Sequence, residues 1–565
     1  MRNLFLIINI FPFILIHNTP TLSQWSDDPY INTRVSDWGV FPEAAIDGGG
    51  GSFISFQNFS YDSTFTFLQR INYNGTLGWS EPVRISNDPG NFQGTIGILN
   101  VGLKGALVGY MNSTVFYDSF FIEHQITEPY IQKFDSIGNK LFGLLGVKLR
   151  IDTTEFWASG YNITSDNNGG VFCFWDFSIT GGGSYTDKLY IQHISKDGER
   201  LWGENGILVA DSTFTPLRMK IIADDSGGIF LQYHQTQNAY YIENYDSTGT
   251  LKWTLKENLE YEKWIKDSEG GVILSAVKQE YPVNKLILNR ISHFGEKLWG
   301  ENGIVLDDSV FNIIPGPAEL YLNSDSNLTV FWDNYGYPYS DIYAQRLNLL
   351  GENLWEENLL VTDAISPKGA IALLESEMQS NIFIWSDGRE PLGLYAQRID
   401  KMGNKIWGDS DRVITYLNHM TTQVVSDGNY GAIVVWETNP PWGGILAQQI
   451  SKNGKLGEIV TSINDENYVP VIPKSYMLSQ NYPNPFNPST TINFSILERS
   501  FVTLKVYDIL GREIANLVNE ELEPGSFEKT FDAGSLSSGV YIYRITAMKD
   551  GKILFSESKQ MLMIK

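Results

Sequence analysis

The sequence predicts an all-β protein made of a long repetitive body and a small C-terminal β-domain. Three observations support this fold class: 52 glycines among 565 residues, an aromatic content of 13%, and a phrase that returns about every 50 residues. A hydrophobic content of 42% excludes a wholly disordered chain. The net charge of −24 repels phosphate backbones, so nucleic acid is not a predicted partner.

The repeated phrase is a glycine turn followed four residues later by a large aromatic residue. An Asp-Gly turn lies upstream of it, as in residues 225–230, so one unit reads strand, turn, strand, variable loop, strand, glycine turn, strand. The turn glycines lie about 54 residues apart on average. They are Gly75, Gly138, Gly198, Gly249, Gly295, Gly351, Gly403 and Gly454. The aromatic residues are Trp79, Phe142, Trp202, Trp253, Trp299, Trp355 and Trp407, while the eighth unit has Glu458 instead.

Eight four-stranded units in a row predict an eight-bladed β-propeller over residues 24–463. A seven-bladed propeller is the alternative, because the unit at residues 90–150 diverges most from the others. We expect the tryptophans to lie between blades in a purely structural role. Residues 25–35 resemble residues 202–209, so we expect them to pair with the last blade and close the ring.

The first 23 residues have the three regions of a secretory signal peptide. Arg2 supplies a positive charge, residues 4–16 form a short apolar run, and the small residues Thr21 and Ser23 precede the predicted cleavage site. No other stretch reaches about 18 apolar residues, so the sequence predicts export without a transmembrane segment.

The residue types that usually carry catalysis or metal binding do not cluster in the sequence. Cys173 is the one cysteine and lies in an apolar run, which predicts a buried hydrophobic side chain. No histidine has another at the spacing of a metal site, so we expect no metal and no cofactor. His193 falls at the position of Arg70, Arg346 and Arg398, which predicts exposed strand residues. We also expect the turn acids, such as those at 224–225 and 307–308, to be solvated.

Binding residues are expected in the variable loops between the second and third strands of the blades. Loops on a rigid scaffold commonly carry recognition, and aromatic or arginine side chains suit sugar rings and protein partners. A glycan or a surface protein is therefore the predicted ligand. The candidate binding residues are Tyr185, Tyr335, Tyr337, Tyr339, Arg389 and Trp442.

After a proline-containing linker, 464–473, residues 474–565 carry several ordered motifs. They include the proline-rich run at 482–488, the hairpin turns at 508–511 and 537–539, and the terminal run 559–565. This segment resembles the C-terminal sorting domain of proteins exported by the type IX secretion system of certain Gram-negative bacteria. The resemblance implies an Ig-like β-sandwich that contacts the secretion machinery and sends the protein through the periplasm to the outer-membrane surface or the exterior. The motif residues are Tyr482, Pro483, Asn484, Pro485, Phe486, Asn487, Pro488, Gly511, Gly539, Tyr541 and Lys565.

The body resembles repeats of the quinoprotein-like or WD-like propeller type, through phrases such as residues 246–253. That resemblance supports a fold more than an activity. The leading functional hypothesis is a non-enzymatic binding or adhesion scaffold. A polysaccharide-active hydrolase or lyase is the first alternative, and it requires a carboxylate or a Tyr/His set that converges in the central funnel of the propeller. A structural component of the cell envelope is the second.

Overall fold

The computed structural model describes residues 25–564 with several gaps. The segments left out are 60–62, 88–91, 103–104, 118–122, 152–160, 182–183, 212–218, 236–238, 281–282, 309–313, 336–339, 417–420, 439–442, 459–475, 479–480, 482–483, 485, 523–524, 535 and 550–551. The predicted signal peptide, residues 1–23, and the predicted linker, 464–473, lie outside the described residues. The chain divides into two compact units, Met1–Val460 and Thr461–Lys565.

The regular secondary structure of the described residues is almost entirely β-strand, which confirms the predicted all-β class. After β1 (Thr33–Ser36), repeat 1 contains β2 (Val40–Ile46), β3 (Ser52–Phe59), β4 (Thr64–Ile71) and β5 (Val83–Arg84). Repeat 2 contains β6 (Phe92–Asn100), β7 (Ala106–Tyr117), β8 (Glu123–Phe134) and β9 (Val147–Lys148). Repeat 3 contains β10 (Tyr161–Ser165), β11 (Val171–Gly181), β12 (Ser184–Ile194) and β13 (Ile207–Asp211). Repeat 4 contains β14 (Lys220–Ala223), β15 (Ile229–Gln235), β16 (Ala239–Tyr245) and β17 (Leu251–Glu257).

The later repeats follow the same order. Repeat 5 contains β18 (Lys263–Lys266), β19 (Val272–Glu280), β20 (Val283–Ile291) and β21 (Ile304–Asp307). Repeat 6 contains β22 (Ile314–Pro315), β23 (Glu319–Leu322), β24 (Leu328–Tyr335), β25 (Asp341–Leu347) and β26 (Leu359–Leu360). Repeat 7 contains β27 (Lys368–Glu375), a 3-10 helix (Glu377–Gln379), β28 (Asn381–Asp387), β29 (Gly393–Ile399) and β30 (Arg412–Thr415). Repeat 8 contains β31 (Thr422–Ser426), β32 (Ala432–Glu437) and β33 (Ile445–Ile450).

Within a repeat, neighbouring strands pair antiparallel in chain order. Repeat 6 differs because both β22 and β23 pair with β24. Repeats 1 and 2 share one sheet, joined by a single parallel pair between Thr64 and Phe92. Each of these two repeats nevertheless keeps its own four strands. With β1 counted in repeat 8, the described body contains eight repeat units, of which seven have four strands and repeat 6 has five.

The first strands of successive repeats contact one another, with β23 in this place in repeat 6, and the first strand of repeat 8 contacts that of repeat 1. The N-terminal strand β1 adds to repeat 8, where Thr33 lies opposite Ala447 and Arg34 opposite Leu446. The predicted pairing of residues 25–35 with the last repeat is therefore confirmed for β1. Repeat 8 gains its fourth strand from the other end of the body.

The tryptophan that recurs four residues after the turn glycine joins each repeat to the next through a hydrogen bond. The indole Nε1 donates to a backbone carbonyl two residues before the turn glycine of the following repeat. The pairs are Trp25–Tyr73 (2.9 Å), Trp79–Ser136 (3.1 Å), Trp202–Ser247 (3.1 Å), Trp253–His293 (2.8 Å), Trp299–Leu349 (3.1 Å), Trp355–Lys401 (3.0 Å) and Trp407–Lys452 (2.8 Å). At Gly295, where φ is +84°, a Cβ atom would lie 2.8 Å from the Trp253 ring, so only glycine fits. The structural role predicted for these tryptophans is confirmed.

In the two repeats that lack the tryptophan, another side chain makes the equivalent inter-repeat hydrogen bond. Phe142 has no N–H to donate, and the Nζ of Lys133 donates instead to the equivalent carbonyl, that of Lys196, at 2.7 Å. Repeat 8 has Glu458 in place of tryptophan, and Trp25 supplies the missing indole from beside β1. The N-terminal segment therefore contributes both a strand and an interlocking side chain.

The prediction that the arginine position of the third strand is exposed is wrong. Arg346 and Arg398 are 1% and 6% exposed, and Arg70 and His193 are also buried or nearly so. In four repeats the reason is that the side chain bends onto an aspartate of the upstream turn in its own repeat, whereas Arg398 donates to the Ser380 hydroxyl and to the carbonyls of Glu377 and Lys452. The aspartate contacts are the ion pairs Arg70–Asp47 (2.7 Å), Arg290–Asp267 (2.7 Å) and Arg346–Asp325 (2.8 Å), and the hydrogen bond between Nε2 of His193 and Oδ2 of Asp166 (3.0 Å).

The prediction that the turn acids are solvated is correct for Asp225 but wrong for its neighbour Asp224. The Asp224 side chain has no exposed surface, while that of Asp225 is 58% exposed. The Oδ1 atom of Asp224 accepts backbone N–H groups from Ser226 and Gly228, and its Oδ2 atom accepts from Asn244. Burial is tolerated because the carboxylate is fully hydrogen-bonded.

Beside the arginine position, most repeats carry a buried glutamine that bonds the backbone on both sides. In repeat 3 the Oε1 of Gln192 accepts the N–H groups of His193 and Trp202. Repeat 4 has Glu243 at this position, 5% exposed, where it accepts hydroxyl groups from Tyr233, Tyr245 and Thr254. Burial raises the pKa of the Glu243 carboxyl above its ordinary value despite these three donors.

We expect Glu243→Gln to stabilise the protein at high pH. Because the pKa of Glu243 is raised in the folded state, its favourable contribution is complete below the ordinary pKa and is lost as the pH rises through the folded pKa. Glutamine does not ionise, so the variant should match the wild type in stability near pH 4 and be the more stable protein at pH 8. Chemical denaturation at both pH values measures this difference. Equal stability of the two proteins at pH 8 would contradict it.

The second unit has two sheets around one core. Its strands are β34 (Met477–Leu478), β35 (Ser489–Ile496), β36 (Ser500–Asp508), β37 (Glu513–Leu522), β38 (Gly525–Asp532), β39 (Gly539–Lys549) and β40 (Lys552–Met563). One sheet has the order β34-β35-β38 and the other β37-β36-β39-β40. Phe494 of the first sheet and Leu504 and Tyr543 of the second belong to the same buried cluster, which joins the two sheets.

Candidate functional site

The first strands of repeats 4, 5 and 6 bring ionisable side chains together. Lys220, Lys263 and Glu319 begin β14, β18 and β23, and contacts join each of these strands to the next. The Lys263 Nζ lies 2.6 Å from Oε1 of Glu319. Lys220 makes no hydrogen bond or ion pair with any described residue. Burial, and then the charge of Lys263, lower the pKa of the Lys220 amine, while nearby carboxylates oppose the shift.

Two carboxylates from the connection between β17 and β18, and a phenol from β16, complete this group. The Tyr240 hydroxyl donates to Oε2 of Glu260 at 3.2 Å, and the ring of His234 lies 4.6 Å from that of Tyr240. Glu260 and Glu262 are among the charges that act on Lys220. We define the inner-strand cluster as Lys220, Tyr240, Glu260, Glu262, Lys263 and Glu319. Amines, carboxylates and a phenol in one place are the groups that acid–base catalysis and sugar binding use.

Repeat 1 carries a carboxylate at the equivalent position of its own first strand. Glu43 precedes Asp47 by four residues, as Lys220 precedes Asp224. It has no hydrogen-bond or ion-pair partner among the described residues. Burial raises the pKa of Glu43 to about 7, so this carboxyl group is partly protonated at neutral pH.

Arg389, one of the predicted binding residues, lies in the loop after β28 and is held by two aspartates. Its Nη2 contacts Asp387 and lies 2.9 Å from Oδ2 of Asp411. The guanidinium carbon lies 4.3 Å from the centre of the Tyr395 ring. The Arg389 side chain keeps 26% of its surface exposed. The arrangement fixes the orientation of the guanidinium and leaves part of it open to solvent.

The other predicted binding residues are outside what the structure describes at side-chain level. Tyr185 lies in β12 and Tyr335 ends β24, but their side chains are not described. Tyr337, Tyr339 and Trp442 lie in the segments left out. Whether these aromatic residues meet on one face of the body therefore stays a prediction.

The lone cysteine has the buried position predicted for it. Cys173 has no exposed surface and packs in a cluster with Leu107, Tyr161 and Trp175. Burial raises the pKa of the thiol, so the reactive thiolate form is disfavoured. Among the described side chains, no group of three or more histidine, cysteine, aspartate or glutamate residues is arranged to hold a metal ion.

The sorting motif of the second unit is attached to the last strand. The backbone N–H of Phe486 donates to the carbonyl of Leu562 at 2.9 Å, and the Phe486 carbonyl accepts the N–H of Ile564 at 3.0 Å. The Asn484 Oδ1 accepts the N–H of Leu562 at 2.7 Å. Residues near the two ends of the domain sequence are thus held together by backbone hydrogen bonds. Tyr482, Pro483, Pro485 and Lys565 lie outside the described residues.

The remaining motif residues shape turns and strand ends. Gly511 has φ +79° in the turn between β36 and β37, and the carbonyl of Pro488 accepts the N–H of Ala533. Gly539 begins β39, where it lies opposite Met563. Tyr541 is buried and its hydroxyl donates to the carbonyl of Ser537. Asn487 precedes Pro488 at the start of β35 and is exposed.

The inner-strand cluster was missed by sequence reasoning, although a signal for it exists. Lys220, Lys263 and Glu319 each lie four residues before the first residue of an Asp-Gly-type turn. Aligning the repeats on that turn instead of the glycine turn would have placed these three side chains at one level of neighbouring strands.

Residues 480–554 match the family described as the secretion system C-terminal sorting domain. The predicted sorting domain is confirmed over those residues. Such a tail indicates export through the type IX secretion system to the cell surface or the extracellular space. In the described residues, no helix is both long enough and apolar enough to cross a bilayer.

A comparison with curated proteins finds no match to this chain. Solved structures that are similar include a protein of unknown function from Dyadobacter fermentans DSM 18053, with 10% identity, TM-score 0.33, and coverage of 74% of this chain and 95% of that one. An endo-arabinase from Bacteroides thetaiotaomicron VPI-5482 has 11% identity, TM-score 0.26, and coverage of 42% and 96%. An ulvan lyase bound to a GlcA and Rha3S chain has 10% identity, TM-score 0.38, and coverage of 76% and 98%. Likenesses this distant assign no activity to the chain.

Proposed function

We propose that the body, residues 24–463, is an eight-bladed β-propeller that the C-terminal domain, 474–565, carries to the cell exterior as an Ig-like sorting module. Eight repeat units, seven with four strands and one with five, support the blade count. The contact between the first strands of repeats 8 and 1, and the pairing of β1 with β33, support a closed ring. Residues 1–23 would be removed as a signal peptide, with 464–473 as the linker.

We further propose that this exported propeller is a non-enzymatic binding or adhesion scaffold. The observation that carries the proposal is the sorting-domain match at residues 480–554, since it takes the body to a surface where ligands are met. The polar side chains that recur in the repeats support it, because side chains such as Arg290 and Asp267 are buried in ion pairs within the body and are not exposed to a ligand. Ligand contacts then fall to parts that differ between repeats, such as the Arg389 loop.

The test uses the full chain produced in a bacterium that has a type IX secretion system. We expect the protein at the surface or in the medium, and a form truncated after residue 463 to remain in the periplasm.

The purified secreted protein is then incubated with a panel of soluble polysaccharides, following both retention and release of smaller sugars. Retention without release supports the scaffold. If neither occurs, the structural envelope component gains support, and equal secretion of both forms would overturn the export proposal.

The inner-strand cluster supports a second candidate function, a polysaccharide-active hydrolase or lyase. Tyr240 with Glu260, and Lys220 without a partner among the described residues, supply the proton donors and acceptors that such reactions need. If smaller sugars are released in the assay above, Tyr240→Phe and Lys220→Met should each slow the release at least about 100-fold. Unchanged release by both variants would exclude the cluster as the catalytic site.

A further inference from the structure

The first strand of repeat 1 is distorted at Phe41. The register of β2 against β3 shifts between Val40 and Glu43, and Phe41 has φ +51°. A positive φ costs a bulky residue about 1 kcal/mol or more, and such strain collects at functional sites. Bulges of this kind commonly redirect a side chain next to a binding site. The Phe41 side chain is redirected to solvent, with 52% of its surface exposed.

A carboxylate from another repeat holds the strained backbone in place. The N–H of Phe41 donates to Oε2 of Glu437 at 2.8 Å. Glu437 ends β32 of repeat 8 and is only 6% exposed. A hydrogen bond to a buried carboxylate is among the stronger ones in proteins, so this bond stabilises the strained backbone conformation of Phe41.

Phe41 forms an exposed aromatic surface with a second phenylalanine. The ring centroids of Phe41 and Phe59 lie 6.0 Å apart at an interplanar angle of 83°. Phe59 ends β3 and is 56% exposed. Two adjacent phenyl rings kept in water forgo the free energy that burial would give each of them, about 2 kcal/mol for a ring of this size.

A carboxyl group lies two residues from Phe41 on the same strand. Glu43 has no hydrogen-bond or ion-pair partner among the described residues, and it is half-buried. It can accept hydrogen bonds from hydroxyl groups and, when protonated, donate one. The exposed aromatic surface, with this carboxyl group two residues along the strand, supplies the two features that a sugar ring needs, an apolar face and a hydroxyl partner.

We propose that Phe41, Phe59 and Glu43 form a binding subsite for a pyranose or furanose ring of a neutral polysaccharide. The proposal rests on the scaffold function proposed above and names its ligand class. Sugar C–H groups stack on the phenyl rings, and ring hydroxyls bond Glu43. Uronate and sulfated sugars are disfavoured by the carboxylate and by the net charge of −24.

The test is affinity electrophoresis of the full chain in gels that contain xyloglucan, laminarin, arabinan or alginate. We expect at least one of the three neutral polysaccharides to retard the wild type and alginate not to do so. Phe41→Gly removes the ring but accepts the positive φ, so it should weaken binding at least about tenfold while the thermal midpoint stays equal or rises. Glu43→Met should weaken binding similarly, and Glu43→Gln should weaken it less.

Phe294→Ala is the matched control, because Phe294 is 79% exposed in a turn of repeat 5. It should bind like the wild type. If the wild type is retarded and Phe41→Gly is retarded equally, the subsite is wrong while the scaffold function stands. Retardation by alginate alone also overturns the subsite. If no polysaccharide retards the wild type, both the subsite and a glycan-binding scaffold are wrong.

Discussion

Trp25→Ala is expected to lower the free energy of unfolding of the body by about 4 kcal/mol. Trp25 is 4% exposed and packs in a cluster that joins β1 to repeats 1 and 8. Its Nε1 donates to the carbonyl of Tyr73 at 2.9 Å. Besides leaving a cavity, the substitution should weaken the attachment of β1, the strand that completes repeat 8. Chemical denaturation followed by intrinsic fluorescence and circular dichroism measures the change.

Trp25→Phe is the matched control, because repeat 2 already uses Phe142 at the equivalent position. The ring is retained and only the indole hydrogen bond is lost, so we expect a cost of about 1 kcal/mol. A loss below about 1 kcal/mol for Trp25→Ala would show that the N-terminal segment does not hold the first and last repeats together.

Arg290→Ala is expected to lower the free energy of unfolding of the body by about 3–5 kcal/mol, because it breaks a buried ion pair. The side chains of Arg290 and Asp267 are 5% and 1% exposed, and their closest N–O distance is 2.7 Å. Removing the arginine leaves the Asp267 carboxylate buried without its counter-charge. The Nη1 of Arg290 also donates to the carbonyl of Leu349 in the next repeat, so an inter-repeat contact is lost as well.

Arg290→Gln is the control that the chain itself suggests. In repeat 8 the Nε2 of Gln449 donates to Oδ2 of Asp427 at 2.9 Å, in the same place and without a positive charge. We therefore expect the glutamine variant to lose about half as much stability as the alanine variant. Equal losses for the two variants, measured by denaturant titration, would show that the aspartate does not need a hydrogen-bond donor there.

The repeats and their joints could be predicted from the sequence because both depend on local requirements. A tight turn needs glycine, and an aromatic residue at a fixed spacing from that glycine indicates that its side chain contacts the same part of the adjacent repeat each time. The same reasoning failed for Arg346 and His193. Their exposure is decided by the turn aspartate on another strand, and strand alternation alone does not show which polar residues meet.

The candidate sites were harder to predict than the fold. The inner-strand cluster combines residues from three repeats, such as Lys220 and Glu319, and the spacing that its strand residues share is visible only when the repeats are aligned on the upstream turn. The strain at Phe41 depends on Glu437, almost 400 residues away in the chain. By contrast, the sorting domain was recognisable because its motif residues, such as Asn484 and Phe486, form turns and terminal contacts that need those residue types.

The closure of the body is tested most directly by a disulfide between β1 and β33. Thr33 and Ala447 are opposite each other in this antiparallel pair, at a separation typical of disulfide-bonded residues, and the native Cys173 is buried. The account predicts that the Thr33→Cys, Ala447→Cys variant forms the bond on mild oxidation and migrates faster on non-reducing gels. Thr33→Cys with Ala396→Cys, the equivalent position in repeat 7, should not. Absence of the first bond, or formation of the second, would contradict the closed ring of eight repeats.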